Sequence, residues 1–314
     1  MDQHNMSFLL LVISVFSATP SHAATMPPRV ETDSGNTVVY NYCDPNARLA
    51  PGVKKLGFLS YNINDGGTAK PDSQTLIKAY LKQTHFDVLA LQEVDLRYKR
   101  SGINRDFAYE IAKQNHLCGL FVTGANWSDY HFTPLGLGRQ GVVVLTRFPI
   151  VSYRAVKLPE PEHPWWGTGD NHGEQRSVAE LTIKPDGKTP VHILGTHLSV
   201  PDSDRHQEIH ALKWGFKDRI GTLSVLLGDL NAPSHSNDMN YISMPSRTHT
   251  FIEFKDAGDM LPVPATVNTY PSENPNTQID HVMFHGKWQV VSQSSQKSDL
   301  SDHDPIYVEA EFRK

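Results

Sequence analysis

Two short segments of this chain concentrate residues able to activate water and neutralise an anion. Near the end of an apolar run, Val225-Leu226-Leu227-Gly228-Asp229-Leu230-Asn231 sets a carboxylate and a carboxamide two residues apart. Ser301-Asp302-His303-Asp304-Pro305 puts an Asp-His pair ahead of a final apolar strand. Positions i and i+2 of a strand face the same side, so Asp229 and Asn231 can address one oxyanion where the strand opens into a loop. Asp302 offers a hard oxygen ligand beside the titratable imidazole of His303. Together these types suit metal-assisted attack on a phosphate ester, which needs an activated water, neutralised nonbridging oxygens and help for the leaving oxygen.

Four further apolar segments end in polar residues: Leu59-Ser60-Tyr61-Asn62-Ile63, Leu89-Ala90-Leu91-Gln92-Glu93-Val94, Gly195-Thr196-His197-Leu198 and Gln278-Ile279-Asp280-His281. Hard divalent cations take oxygen ligands, and Mg²⁺ is usually held by one or two carboxylates. Glu93 is therefore the leading Mg²⁺ ligand, with Asn62 and Asp302 completing or orienting its shell. Asn231 can donate amide hydrogens to a phosphoryl oxygen that a carboxylate would repel.

Read in order, Asn, Glu, His, Asp/Asn, Asp and Asp-His, the series resembles the endonuclease/exonuclease/phosphatase superfamily with its deoxyribonuclease-I-like fold, over residues 54–312. The segment Glu93-Val94-Asp95-Leu96-Arg97-Tyr98-Lys99-Arg100-Ser101-Gly102 is especially similar to uncharacterised bacterial metal-dependent hydrolases of that superfamily. The resemblance implies a four-layer αββα sandwich with active-site loops gathered at one end of two packed mixed sheets. It implies His303 as general base with Asp280 accepting its other ring N–H, and Asp229 positioning the same water or a second metal. It further implies His197 protonating or hydrogen-bonding the leaving oxygen, and Arg176 facing phosphate. One departure is that the loop from Asn126 to Gly138 offers His197 no clear acidic partner, Asp129 being a weak candidate. Substrate stays open, since the superfamily covers nucleic acids, inositol phosphates and sphingomyelin.

The elements that must position these residues are legible in the periodicity. Helical stripes run from Asp72 to Gln83, with Asp72 or Ser73 as cap, from Phe107 to Gln114, and from about Asp204 to Asp218. Apolar runs predict strands over 56–63, 88–94, 141–145, 177–183, 191–198, 224–230, 279–284 and 306–312, with a turn through Pro185-Asp186-Gly187. By this pattern alone the fold is α/β or α+β, layered around a mixed sheet. At 314 residues and 39% hydrophobic content, one large domain is expected.

Ser7 to Ala18 is apolar but short for a membrane span, and Pro20-Ser21-His22-Ala23-Ala24 follows with the small residues of a cleavage site. Residues 1–23 read as a signal peptide cleaved near Ala23, residues 24–53 as a loosely held lead-in and 54–314 as the catalytic domain, giving a secreted or periplasmic protein. Met1 to Asn5 lacks the Lys or Arg of a usual leader, an anomaly that translation from Met6 would remove. Without residues 1–23, 29 basic residues face 33 acidic ones, a net charge of −4. Nonspecific nucleic-acid binders gain affinity from cationic side chains, and no global excess exists here. Cys43 and Cys118, the only thiols, can form one disulfide or stay buried and free.

Three features lie outside the constellation. His206 and His210 are one helical turn apart, but their His-x-Glu-x-His order is not that of a metalloprotease helix, so they read as surface histidines. Tyr61 reads as core. Trp165 and Trp166, in the loop from Leu158 to Gly173, can stack on a base or sugar, contact a membrane surface transiently or cap the core.

The sequence thus points to a secreted hydrolase of phosphoric esters that uses Mg²⁺, with Mn²⁺ or Ca²⁺ as substitutes, on a lipid or small phosphodiester in preference to nucleic acid. No stable protein partner is inferred. The alternatives are an extracellular DNA or RNA endonuclease, resting on His197, Asp280 and His303, and a catalytically silent binding or toxin-accessory module. The intact polar set argues against the last.

Overall fold

Along Leu56-Gly57-Phe58-Leu59-Ser60-Tyr61, alternate side chains go to opposite faces, and both faces are buried: Leu56 and Phe58 in one apolar cluster, Leu59 and Tyr61 in another. A strand with two dry faces belongs inside a layered structure. The computed structural model describes residues 12–17, 27–32, 36–98, 100–102, 105–124, 138–161, 174–246 and 248–313.

Two sheets make up the centre. The first runs, in spatial order, β14 (Trp288–Ser295), β15 (Ile306–Phe312), β4 (Lys55–Asn62), β5 (Val88–Leu96), β7 (Arg139–Thr146), β6 (Cys118–Thr123), β3 (Thr37–Asn41) and β2 (Arg29–Thr32). The second runs β1 (Val12–Ser17), β8 (Ile150–Lys157), β9 (Ser177–Ile183), β10 (Val191–His197), β11 (Leu223–Asp229), β13 (Asp280–His285) and β12 (Lys255–Asp256). Each sheet is mixed, with β4/β5 and β10/β11 pairing in parallel among antiparallel neighbours.

Helices α1 (Ser73–Gln83) and α2 (Phe107–Gln114) bury Ile77, Leu81, Phe107 and Ile111 on the outer face of the first sheet. Helices α3 (Asp202–Gly215) and α4 (Asn237–Ser243) bury Ile209, Leu212, Met239 and Ile242 on the outer face of the second. Between the sheets, Phe58, Val88, Ala90 and Val144 meet Ile193, Val225, Leu227 and Val282. The result is the expected four-layer αββα sandwich.

Several local expectations need correction. The supposed loose lead-in instead supplies β2 and β3 at one edge of the first sheet, where Val38 and Val39 are buried. Its strands are too short and too near prolines to stand out in a periodicity count. Asp72 does precede α1, but its left-handed backbone (φ 66°) leaves it without a side-chain cap bond, and Ser73 Oγ accepts from Lys70 N instead. Glu93 does not end its strand. It occupies a bulge within β5, where the register against β7 shifts between Leu91 and Val94. Apart from these corrections, residues 12–17, within the expected leader, pair antiparallel with β8.

Tyr61 is core, its hydroxyl bonded to Ser298 Oγ at 2.9 Å. His206 pairs with Asp238 (3.1 Å) and lies tilted against Tyr241, on which His210 stacks. Trp165, Trp166 and Asp129 lie outside the described residues. No helix among those described is long and apolar enough to cross a membrane.

Cys43 and Cys118 form a disulfide that closes a 75-residue separation and ties the segment after β3 to β6. Cross-links of such span remove denatured-state entropy, typically worth about 2–5 kcal/mol. The Cys43→Ser/Cys118→Ser variant is expected to lose that much stability in denaturant melts, with the two-sheet circular dichroism spectrum retained.

Candidate active site

Neighbouring strands bring three of the site residues into one row: His197, Asp229 and Asp280 are direct cross-strand partners on β10, β11 and β13. The close packing behind this row depends on Gly228 (φ 155°), where a Cβ would stand 1.9 Å from the Thr196 carbonyl oxygen. Asn62 terminates β4 on the facing sheet, and its amide nitrogen reaches Asp229 Oδ2 (3.0 Å) and Glu93 Oε1 (3.2 Å). The active centre therefore spans the seam between the sheets.

His303 reaches this seam from the loop before β15. That loop is held on several sides: Ser301 Oγ donates to Asn62 O (2.7 Å), Ser272 N to Asp302 O (2.7 Å) and Asp304 N to Thr269 O (2.7 Å). The ring also packs against Tyr270, 4.8 Å between centroids. So anchored, His303 Nδ1 lies 2.8 Å from Asp280 Oδ2, which fixes Nδ1–H as donor and turns Nε2 towards Asp229 Oδ2, 3.7 Å away.

Two site residues have backbones that side chains other than glycine seldom adopt, Glu93 (φ 58°) and Asn231 (φ 50°). At the β5 bulge this turns Glu93 towards Asn62 and Asp229, and Glu93 Oε2 also accepts from Asp65 N at 2.7 Å. The Glu93 to Gly102 segment supports that arrangement. Arg100 makes two 2.9 Å bonds to the buried Asp95 carboxylate, and its third nitrogen meets Asp65 at 2.7 Å. Arg100 thereby clamps the loop that holds Glu93. Nothing in the spacing alone distinguished this clamp from a surface charge run.

The electrostatics follow from crowding acids in a dry place. Burial, with Asp280 nearby, raises the Asp229 carboxyl to about 7, and burial likewise raises Glu93. Burial pulls His303 down, but Asp280 and then Asp229 and Asp302 outweigh it and carry the imidazole up to about 10. His197 goes the other way, held well below its ordinary value by burial, Arg176 and His303. Arg176 NH1 lies 3.0 Å from His197 Nδ1 and can only donate, so His197 is neutral with its proton on Nε2. That Nε2 is 3.4 Å from Asp229 Oδ2 and 3.2 Å from the Asn231 amide nitrogen.

The expected partners are thus largely together, with two differences. Arg176, expected to face phosphate, also occupies the place of a partner to His197, and it pairs with Glu174 at 3.3 Å. Asp302 lines the same cavity of about 670 Å³ but is exposed and makes no bond to Glu93 or Asn62. Asn231 donates to Leu198 O at 2.9 Å, and its amide nitrogen stands 3.2 Å from His197 Nε2, a contact between two donors that leaves room for an acceptor between them.

The donor set fits a hard divalent cation. Asp229, Asp280 and His303 offer ligand atoms within 4.8 Å of one another, Asp280 Oδ1 is a buried acceptor with no donor, and the Asn62 amide sits between two carboxylates. Repulsion among these acids is what a cation would relieve.

Glu208 on α3, the acid between His206 and His210, is buried and holds Ser199 just beyond His197, through Ser199 N (2.8 Å) and Oγ (2.7 Å). Burial, outweighing those bonds, raises its carboxyl from 4.5 to about 7. A carboxyl raised on folding stabilises fully below the unfolded value of 4.5, and that contribution is lost as pH rises through about 7. Glu208→Gln is expected to flatten thermal stability between pH 4.5 and 7, removing up to about 3 kcal/mol of pH dependence relative to wild type.

The sequence profile of the Endonuclease/Exonuclease/phosphatase family matches residues 59–303. No curated protein sequence matches the chain. Solved structures give the same fold. An endonuclease/exonuclease/phosphatase from Beutenbergia cavernae has 20% identity and a TM-score of 0.59, covering 83% of this chain and 72% of its own. One from Bacteroides vulgatus has 16% identity and a TM-score of 0.63, covering 83% and 100%. A mannosyl-6-phosphatase from Bacteroides thetaiotaomicron has 15% identity and a TM-score of 0.59, covering 82% and 100%. With most of its length matched by the profile and its polar strand ends converging on one seam, the chain belongs to the endonuclease/exonuclease/phosphatase family, whose members hydrolyse phosphoester bonds.

Proposed function

We propose that the protein is a secreted, Mg²⁺-dependent hydrolase of small phosphoric esters. The observation that carries this reading is the charge of the cavity. Asp65, Glu93, Glu174, Asp229 and Asp302 line it against two arginines, Arg100 and Arg176, and both are already ion-paired. A nucleic-acid strand needs unpaired cations along its phosphates, and among the described residues this wall supplies none. A compact ester whose charge is met by one cation and a few N–H donors suits it. The fold neighbour that acts on a mannosyl-6-phosphate is in keeping with a small substrate. The disulfide supports an oxidising compartment.

Glu93 and Asp229 would hold the cation, with the Asn62 amide orienting both carboxylates, and the cation would polarise the phosphoryl group and lower the pKa of a bound water. The chain's own residues do the rest. Asp280 holds His303 so that Nε2 faces the cavity as acceptor for the proton of the attacking water. With the neighbouring carboxylates uncompensated that nitrogen keeps its proton up to about pH 10, so base function requires their charge to be offset. His197, neutral and protonated on Nε2, donates to the developing charge on the leaving oxygen, and Asn231 donates beside it.

Glu93→Gln is expected to abolish Mg²⁺-dependent turnover and weaken Mg²⁺ binding in calorimetric titration while melting within a few degrees of wild type. Wild-type rates in that variant would remove Glu93 from the site. His303→Ala is expected to lower turnover by about 10²-fold or more. Product release should be measured side by side on plasmid DNA, on sphingomyelin/phosphoinositide vesicles and on soluble sugar phosphates. The convergence of His197 and His303 on Asp229 favours a nuclease as the second reading. DNA cleavage whose affinity falls steeply with salt would establish it in place of the first.

A further inference from the structure

Beside the catalytic row lies a recess of about 10 Å³, lined by Glu93, Gln140, Glu174, Arg176 and His197. That is the room of one water-sized probe, enough for a single oxygen atom. Two of its lining groups are buried donors with no acceptor, Gln140 Nε2 and Arg176 Nε. Gln140 is only 8% exposed. The seam here closes tightly because residue 124 is glycine: its N donates to Gln140 O at 3.0 Å, and a Cβ would stand 3.0 Å from Gln175 O. Gln140 on β7 and Arg176 beside β9 are therefore brought to one wall from different sheets. A buried donor left unmet is unfavourable, so such a pair is in place for an acceptor that arrives with the ligand. Both unmet groups are donors, which favours an acceptor over a cation despite Glu93 and Glu174.

We propose that this recess receives the third terminal oxygen of a phosphate monoester, and that Gln140 makes the enzyme prefer monoesters to diesters. The inference rests on the hydrolase reading above. A diester presents two nonbridging oxygens, which the cation side and the Asn231 amide already serve, His197 being turned to the leaving oxygen. A monoester dianion carries a third, and Gln140 Nε2 with Arg176 Nε meets it. In the reaction water attacks phosphorus, the P–O bond to the alcohol breaks, the proton lost by the attacking water passes to His303, the departing alkoxide, hydrogen-bonded by His197, takes a proton from solvent, and His303 returns its proton to solvent as alcohol and inorganic phosphate are released. Glu174, paired with Arg176 NH1, faces the same recess and limits its positive potential, so hydrogen-bond direction rather than net charge makes the selection.

The test compares wild type, Gln140→Leu and Gln140→Glu in Mg²⁺ on 4-nitrophenyl phosphate and bis(4-nitrophenyl) phosphate, with inorganic phosphate binding followed by calorimetry. Wild type is expected to favour the monoester. Gln140→Leu should lower kcat/KM for the monoester and weaken phosphate binding by about 10-fold or more, change the diester by less than about 2-fold, and leave the Tm unchanged or higher because an unmet donor is gone. Gln140→Glu should lose more than Gln140→Leu. Equal losses on both esters, an unaffected monoester, a preference for the diester or a lowered Tm in Gln140→Leu would each overturn the assignment. If wild type turns over neither ester, the hydrolase reading fails, while phosphate binding still decides Gln140: no binding, or equal binding by both proteins, overturns it.

Discussion

The structure depends on burying like charges together. Asp229 and Asp280 end up almost fully buried with Glu93 beside them, and no lysine or arginine pairs with any of the three: imidazoles, the Asn62 amide and backbone N–H groups are their partners among the described residues. Isolated, each buried carboxylate would be strongly unfavourable. The arrangement persists because the rest of the chain leaves these side chains nowhere else to go. They stand at the ends of strands whose other residues form the apolar layers between and outside the sheets. Apolar burial over those layers holds a centre that a cation would then stabilise.

That constraint explains why so much of the surrounding polar structure is support. Ser301, Ser272 and Asp304 pin the loop that presents His303, Arg100 ties Asp95 to Asp65 behind Glu93, and Glu208 fastens Ser199 behind His197. The two histidines then diverge. Both are buried near Asp229, yet His303 faces two carboxylates and is pushed up, whereas His197 faces an arginine and is pushed down. One is therefore set up to handle protons once its neighbours are compensated, and the other to donate a fixed hydrogen bond, from identical side chains.

The strand-end residues were legible because a strand's period of two is short and local: an apolar run ending in Asn62, His197 or Asp229 already says which residue reaches the sheet's edge. The Glu93 bulge was not legible, since a one-residue shift against β7 exists only through the pairing of two strands distant in sequence. Likewise β2 and β3 are too short to announce themselves, and they earn their place through pairing with β6 and the disulfide.

By itself the sequence determined the layered α/β class, the family resemblance and the identity of the groups able to do chemistry, because residue type and local periodicity are written in the chain. Which nitrogen of each histidine carries its proton, that Arg176 faces His197, that Cys43 meets Cys118 and that Gln140 lines a recess were decided only by tertiary structure. Each of these depends on which atoms from distant segments are brought within hydrogen-bond or covalent reach, and that is set by the packing of two sheets against each other.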